Sequence, residues 1–157
     1  MIPRFLEHTI RRALKTFPVV LVTGPRQSGK TTLLKNVWGR SFRYVSLENP
    51  DVRMSAKNDP NMFLRMNEPP LILDEIQYLP ELLSYIKTSV DENRAPGRFI
   101  ITGSQSFPLM RDVSQSLAGR VAVLNLLPLS LGELMLGKAV SVERFLNFGW
   151  LKKRVGK

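Results

Sequence analysis

The sequence predicts an α/β fold: a parallel sheet of five short strands with helices on both faces. Three observations carry that prediction. Short apolar runs alternate along the chain with segments of helical periodicity, the pattern of repeated strand–helix units. Several of the runs, such as Val19-Val20-Leu21-Val22 and Leu71-Ile72-Leu73, are continuously apolar, as strands buried on both faces are. The first run leads through Gly24-Pro25-Arg26-Gln27-Ser28-Gly29-Lys30-Thr31 into a helix, and strand, glycine loop and helix N-terminus together define the P-loop NTPase class.

Taken in order, residues 3–16 read as an amphipathic helix within an N-terminal segment, 1–17. Phe5, Leu6, Ile10, Ala13 and Leu14 share one face, Arg11, Arg12 and Lys15 lie opposite, and Pro18 closes it. The first strand is Val19–Thr23, and the helix after the loop runs from Lys30 to about Trp38, where Gly39 stops it. Residues 42–47 suit a second strand, broken by Asn49-Pro50-Asp51. A short helix over Pro60–Met66 precedes Glu68-Pro69-Pro70, a stiff lead into the third strand, Leu71–Leu73. From Pro80 a helix places Leu82, Leu83, Ile86 and Val90 at i, i+1, i+4 and i+8, until Ala95-Pro96-Gly97 ends it. Residues 98–103 form the fourth strand, 107–119 a helical connection and 121–126 the fifth strand. Ser130-x-x-Glu133 is a capping box that opens one more helix, to about Gly137. No internal repeat or low-complexity segment is present.

Composition narrows the class. A chain of 157 residues suits one domain with a full core. It has no cysteine, which excludes disulfides and cysteine-based zinc sites and predicts a cytoplasmic location. No apolar run approaches the ~18–20 residues that cross a bilayer, so no membrane association is expected. The basic residues before Val19 precede an apolar run too short for a signal peptide. The net charge is +10, and residues 1–40 carry eight Lys or Arg against Glu7 alone. That balance admits nucleic acid as a partner on charge alone. A basic nucleotide-binding face would produce the same excess, and no aromatic residues are interleaved with the basic ones as stacking platforms.

The loop motif carries the first piece of chemistry. Gly24 and Gly29 permit dihedrals and close approach that a side chain would prevent. Lys30 is placed to reach the β- and γ-phosphates of ATP, and the Thr31 hydroxyl to bind Mg2+. Pro25, Arg26, Gln27, Ser28 and Thr32 complete the nucleotide-binding segment, with Arg26 and Gln27 at variable positions that favour solvent. Forty-three residues beyond Thr31, the third strand ends in Asp74-Glu75. Asp74 would hold Mg2+ through a water, and Glu75 would polarise the attacking water. An adjacent acidic pair argues for the branch of phosphate-loop ATPases with an extra strand between the two motif strands. At the end of the fourth strand, Ser104 or Thr102 could meet the γ-phosphate, with Ser104 favoured. Arg120, before the fifth strand, is a candidate arginine finger toward a neighbouring copy, or a partner of Asp112 or Glu133. His8, the only histidine, reads as a surface residue.

These residues resemble the prokaryotic AAA-type ATPases that join an N-terminal ATPase domain to a family-specific C-terminal domain. The resemblance runs through residues 20–31, Leu71-Ile72-Leu73-Asp74-Glu75-Ile76-Gln77-Tyr78-Leu79-Pro80-Glu81-Leu82, Phe99-Ile100-Ile101-Thr102-Gly103-Ser104-Gln105, and Ser116-Leu117-Ala118-Gly119-Arg120-Val121 through Glu133. It implies a sheet order of 5-1-4-3-2, ATP and Mg2+ as ligands, and activity coupled to homo-oligomers or partners. It divides the chain into an ATPase core, 1–137, and a remnant of the lid region with a basic tail, 138–157. Relatives continue into a helical lid, so the core is expected to lack a full lid and the chain to be shortened. Nucleotide binding follows more directly from these residues than hydrolysis does. The alternatives are a nucleotide-dependent switch with little turnover, a nucleic-acid-associated module, or a truncated gene product.

Overall fold

The computed structural model describes residues 2–104 and 107–135. In chain order the elements are α1 (Leu6–Ala13), β1 (Val19–Gly24), α2 (Lys30–Trp38), β2 (Arg43–Ser46), α3 (Pro50–Asn58), α4 (Pro60–Met66) and β3 (Leu71–Asp74). A single 3-10 turn, Ile76–Tyr78, then leads to α5 (Leu82–Glu92), β4 (Phe99–Ser104), α6 (Phe107–Ser116), β5 (Val121–Asn125) and α7 (Leu131–Met135). The five strands form one sheet in the order β2-β3-β4-β1-β5, with every pairing parallel. This is the 5-1-4-3-2 order that the resemblance implies.

Strand parity divides the core in two. Val19, Leu21, Leu71, Leu73, Phe99 and Ile101 point to one face, where they meet Leu82, Leu83, Ile86 and Val90 of α5 and Leu109 and Val113 of α6. Val20, Val22, Ile72 and Ile100 point to the other, against Ile10 of α1 and Leu33, Leu34 and Trp38 of α2. The central strands are therefore buried on both sides, which is why they carry no apolar–polar alternation. Burying each such side chain contributes roughly 1.5–3 kcal/mol.

The sheet lies wholly within one compact unit, Phe5–Pro128. Among the described residues, a second unit joins residues 2–4 to 129–135. Within it the capping box forms as its spacing predicts: the Ser130 N–H donates to Glu133 Oε2 at 2.8 Å, and the Glu133 N–H returns a bond to Ser130 Oγ at 3.2 Å. Glu133 Oε1 also receives Arg4 Nε at 3.1 Å.

Some expectations need correction. Asn49-Pro50-Asp51 does more than break a strand; it starts α3. Asn49 Oδ1 accepts from the Asp51 N–H at 2.9 Å, and Pro50 occupies the first turn, where its missing N–H costs nothing. The first helix is shorter than 3–16, and Phe5 is exposed rather than part of its buried face. The fourth strand extends to Ser104. Gln105 and the 138–157 remnant and tail lie outside the described residues.

Candidate functional site

All five strands run the same way, so their carboxyl ends share one edge of the sheet, and the phosphate-type loop opens there. Gly24 ends β1 at φ +149°, and a Cβ on it would lie 2.2 Å from the Leu126 carbonyl oxygen, so only glycine fits. Gln27 and Gly29 also have positive φ, 62° and 91°, and Gly29 is the residue from which α2 departs. The loop is thereby folded back over the start of α2. Lys30 is buried, and its Nζ donates to the Gly24 and Pro25 carbonyls at 2.9 and 3.0 Å. The ammonium thus sits on the inner side of the loop. Ser28 is also buried, whereas Pro25, Arg26, Gln27 and Thr32 are exposed.

Parity brings the next group together. In the parallel register Tyr44 pairs with Ile72, and Ile72 with Ile100. Tyr44, Asp74 and Thr102 therefore lie on one face, which is also the α2 face and carries Thr31. Asp74 is buried there among three hydroxyls. Its Oδ2 accepts from Thr31 Oγ1 at 2.8 Å and from the Tyr44 hydroxyl at 2.6 Å, while Oδ1 accepts from Thr102 Oγ1. Thr102 is fully buried, and its oxygen also accepts the Glu75 N–H at 3.0 Å. One hydroxyl thus fixes the carboxylate of Asp74 and the backbone of Glu75 together. Burial and the adjacent Asp74 carboxylate push the Tyr44 phenol well above its ordinary pKa. It remains a donor throughout the physiological range.

Glu75 follows at φ 63° and ψ 49°, a left-handed conformation that costs a non-glycine residue about 1–2 kcal/mol. That turn takes the chain off the sheet and into the 3-10 turn. Its carboxylate accepts from Gln77 Nε2, and Gln77 Oε1 accepts the Ser104 N–H at 3.2 Å. Ser104 itself pairs with Gly24 across β4 and β1, so it flanks the first loop glycine.

Arg120 lies elsewhere. It precedes β5, whose Val121 pairs with Val19 at the start of β1, so it stands at the amino edge of the sheet. The length of β1, about 16 Å at ~3.3 Å per residue, separates it from the loop. Its guanidinium grips Asp91 of α5 through Nε at 2.7 Å and Nη2 at 3.0 Å, and Nη1 donates to the Ala118 carbonyl at 2.9 Å. Asp91 was not among the carboxylates that spacing suggested. His8 is exposed, as expected.

Tyr44 and Gln77 are the functional candidates that sequence reasoning missed. Nothing local marks Tyr44, since its link to Asp74 comes from strand order. Gln77 had a weak signal: a polar residue two positions after the acidic pair, between Ile76 and Leu79, which are both buried.

The donor set suits a hard cation. Thr31 and Asp74 offer oxygen atoms 2.8 Å apart, and among the described residues no group of three or more His, Cys, Asp or Glu could hold a metal alone. Such a site fits Mg2+, which takes few protein ligands and shares phosphate oxygens and water.

Sheet order, glycine loop and acidic pair together define a P-loop ATPase fold. Residues 16–135 match the family described as AAA domain, and the chain belongs to that family. It is 43% identical over 119 residues to uncharacterized proteins of Mycobacterium bovis (Mb2031c) and Mycobacterium tuberculosis (Rv2008c). The match takes in 74% of this chain and 26% of each relative, so the chain spans about a quarter of their length. Among solved structures, the Walker-type ATPase PABY2304 of Pyrococcus abyssi superposes with a TM-score of 0.58 at 17% identity, over 85% of this chain and 55% of that one. AMPPCP-bound DnaA from Aquifex aeolicus gives 0.52 at 18%, over 98% and 61%. At these identities the likeness is one of fold. No helix among the described residues is long and apolar enough to cross a membrane.

Proposed function

We propose that this chain is the nucleotide-binding core of a Mg2+-dependent ATPase. The observation that carries the reading is the Thr31–Asp74 contact at 2.8 Å, beside a loop whose glycine conformations and buried lysine suit a triphosphate. Gly24 through Thr32 cradle the phosphates, and Lys30 exchanges its carbonyl partners for β- and γ-phosphate oxygens. Thr31 and Asp74 hold Mg2+, which when bound neutralises charge developing on the phosphates. Glu75 orients and deprotonates the attacking water. Ser104, which flanks Gly24, takes the γ-phosphate-facing role. Thr102, whose hydroxyl is occupied by Asp74 and Glu75, acts as the brace for both.

The test is calorimetric titration with Mg-ATP of the wild type and Lys30→Ala. Saturable binding by the wild type, weakened about 100-fold or more by loss of a charge-assisted contact, supports the reading. Folded wild-type protein that binds no nucleotide refutes it.

Arg120, at the amino edge and remote from its own loop, is proposed to serve a neighbouring copy's triphosphate. Activity per molecule should then rise with protein concentration and fall in Arg120→Ala; activity that stays flat and survives the substitution would dispose of the trans role. A role with nucleic acid rests on charge alone. In space, the basic residues do meet aromatic rings: Arg11 lies over Trp38 and Lys35 over Tyr44. Those ring faces are already covered, which favours a solvated basic face over a stacking platform.

A further inference from the structure

Gln77 bonds both to Glu75 and to the strand end flanking the phosphate-type loop. Its amide is used at both ends. Nε2 donates to Glu75 Oε2, and Oε1 accepts the Ser104 N–H at 3.2 Å. The fit is tight: a Cβ on Gly103 would fall 3.0 Å from Gln77 Oε1 and 2.4 Å from Leu109 Cδ2. Glycine at 103 therefore lets β4 approach closely enough for the Ser104 N–H to reach the amide. Glu75 leaves the sheet in a left-handed conformation, so its carboxylate needs a fixed partner if it is to point one way. Gln77 supplies that partner by donating from Nε2 to Glu75 Oε2, which leaves Glu75 Oε1 for another donor. Ser104 in turn sits beside Gly24. A shift at the end of β4 therefore moves the group that holds Glu75.

We propose that Gln77 is a positioning residue that locks the Glu75 carboxylate to the carboxyl end of β4, so that a γ-phosphate met at Ser104 and the base that activates water are set in register. This rests on the ATPase reading above. Gln77 touches neither nucleotide nor water itself. It acts by removing the independent motion of two groups that must agree. An ADP molecule presents no γ-phosphate to Ser104 and gains nothing from the lock, whereas a triphosphate does.

The test compares wild type, Gln77→Leu and Gln77→Glu in three measurements: Kd for Mg-ADP, Kd for a non-hydrolysable Mg-ATP analogue, and single-turnover hydrolysis. Leucine keeps the packing and deletes both amide functions. Glutamate keeps the acceptor for Ser104 but sets a carboxylate against Glu75. Both variants are expected to bind ADP as the wild type does, which also shows that they fold. Preference for the triphosphate over ADP should fall about tenfold, the size of one or two lost hydrogen bonds. Single-turnover hydrolysis at saturating Mg-ATP should slow by at least as much. A wild-type preference and rate in both variants would overturn the proposal while leaving the ATPase reading intact. A wild type that binds nucleotide without turning it over leaves the preference ratio to decide. A wild type that binds neither nucleotide overturns both readings.

Discussion

The two edges of the sheet are built differently. At the amino edge, polar groups close on one another and cap the strands. Arg120 grips Asp91, Arg98 bonds to Ser89 and to the Asn93 carbonyl, and the Pro18 carbonyl accepts two N–H groups at the start of β4. At the carboxyl edge two non-glycine residues, Gln27 and Glu75, adopt costly left-handed conformations, and a lysine and an aspartate are buried. Strain and buried charge gathered at one end of a regular sheet are what the proposed ATPase site would require there. The other end satisfies ordinary structural demands, and the proposed trans role of Arg120 would have to reach a neighbour's site from there.

The sharpest break of that contrast is Glu75→Gln. It should lower turnover by about 10²–10⁴-fold, the usual worth of a general base, with Mg-ATP affinity retained in calorimetry; unchanged turnover would remove the catalytic meaning of the carboxyl edge. Next comes Thr102→Val, which leaves the Glu75 N–H and one Asp74 oxygen without their shared partner. A loss of about 2 kcal/mol is expected, seen as a fall of roughly 4–8 °C in Tm. Tyr44→Phe deletes one of three donors to Asp74. It should cost about 1 kcal/mol by denaturant titration, with the loss offset in part when nucleotide is bound.

The smallest effect belongs to the amino edge. The Arg120 hydrogen bonds lower the pKa of Asp91, so the pair's contribution is present above the ordinary carboxyl range and fades as pH falls through the lowered value. In Arg120→Gln the NMR titration of Asp91 should move upward toward an ordinary carboxylate, with nucleotide binding by the isolated chain unchanged. A binding defect in that variant would blur the distinction between the edges.

Much of this was legible in the chain. The apolar runs and the glycine loop name the fold class because burial on both faces and a left-handed loop each demand particular residue types. Lys30, Thr31, Asp74 and Glu75 could be read from local pattern, since each sits at the end of a strand or the start of a helix. The α3 helix was legible too, had Asn49-Pro50 been read as a cap and first turn. Sheet order could be inferred only through resemblance, because a parallel pairing links residues distant in sequence and leaves no local trace.

Which of these residues meet was decided in three dimensions. Thr102 and Ser104 stand two residues apart on one face of the same strand, and alternation cannot separate them. The neighbouring strands do: Thr102 is covered by β3 and faces Asp74, while Ser104 ends beside Gly24. Tyr44 entered the site because β2 pairs with β3 in one register, and Gln77 because β4 comes close enough over Gly103 to share its amide. Local sequence thus determined which residues the chain placed at the strand ends. Only the packing of the strands decided which of those residues met, since hydrogen bonds act over about 3 Å and only the folded sheet brings these groups that close.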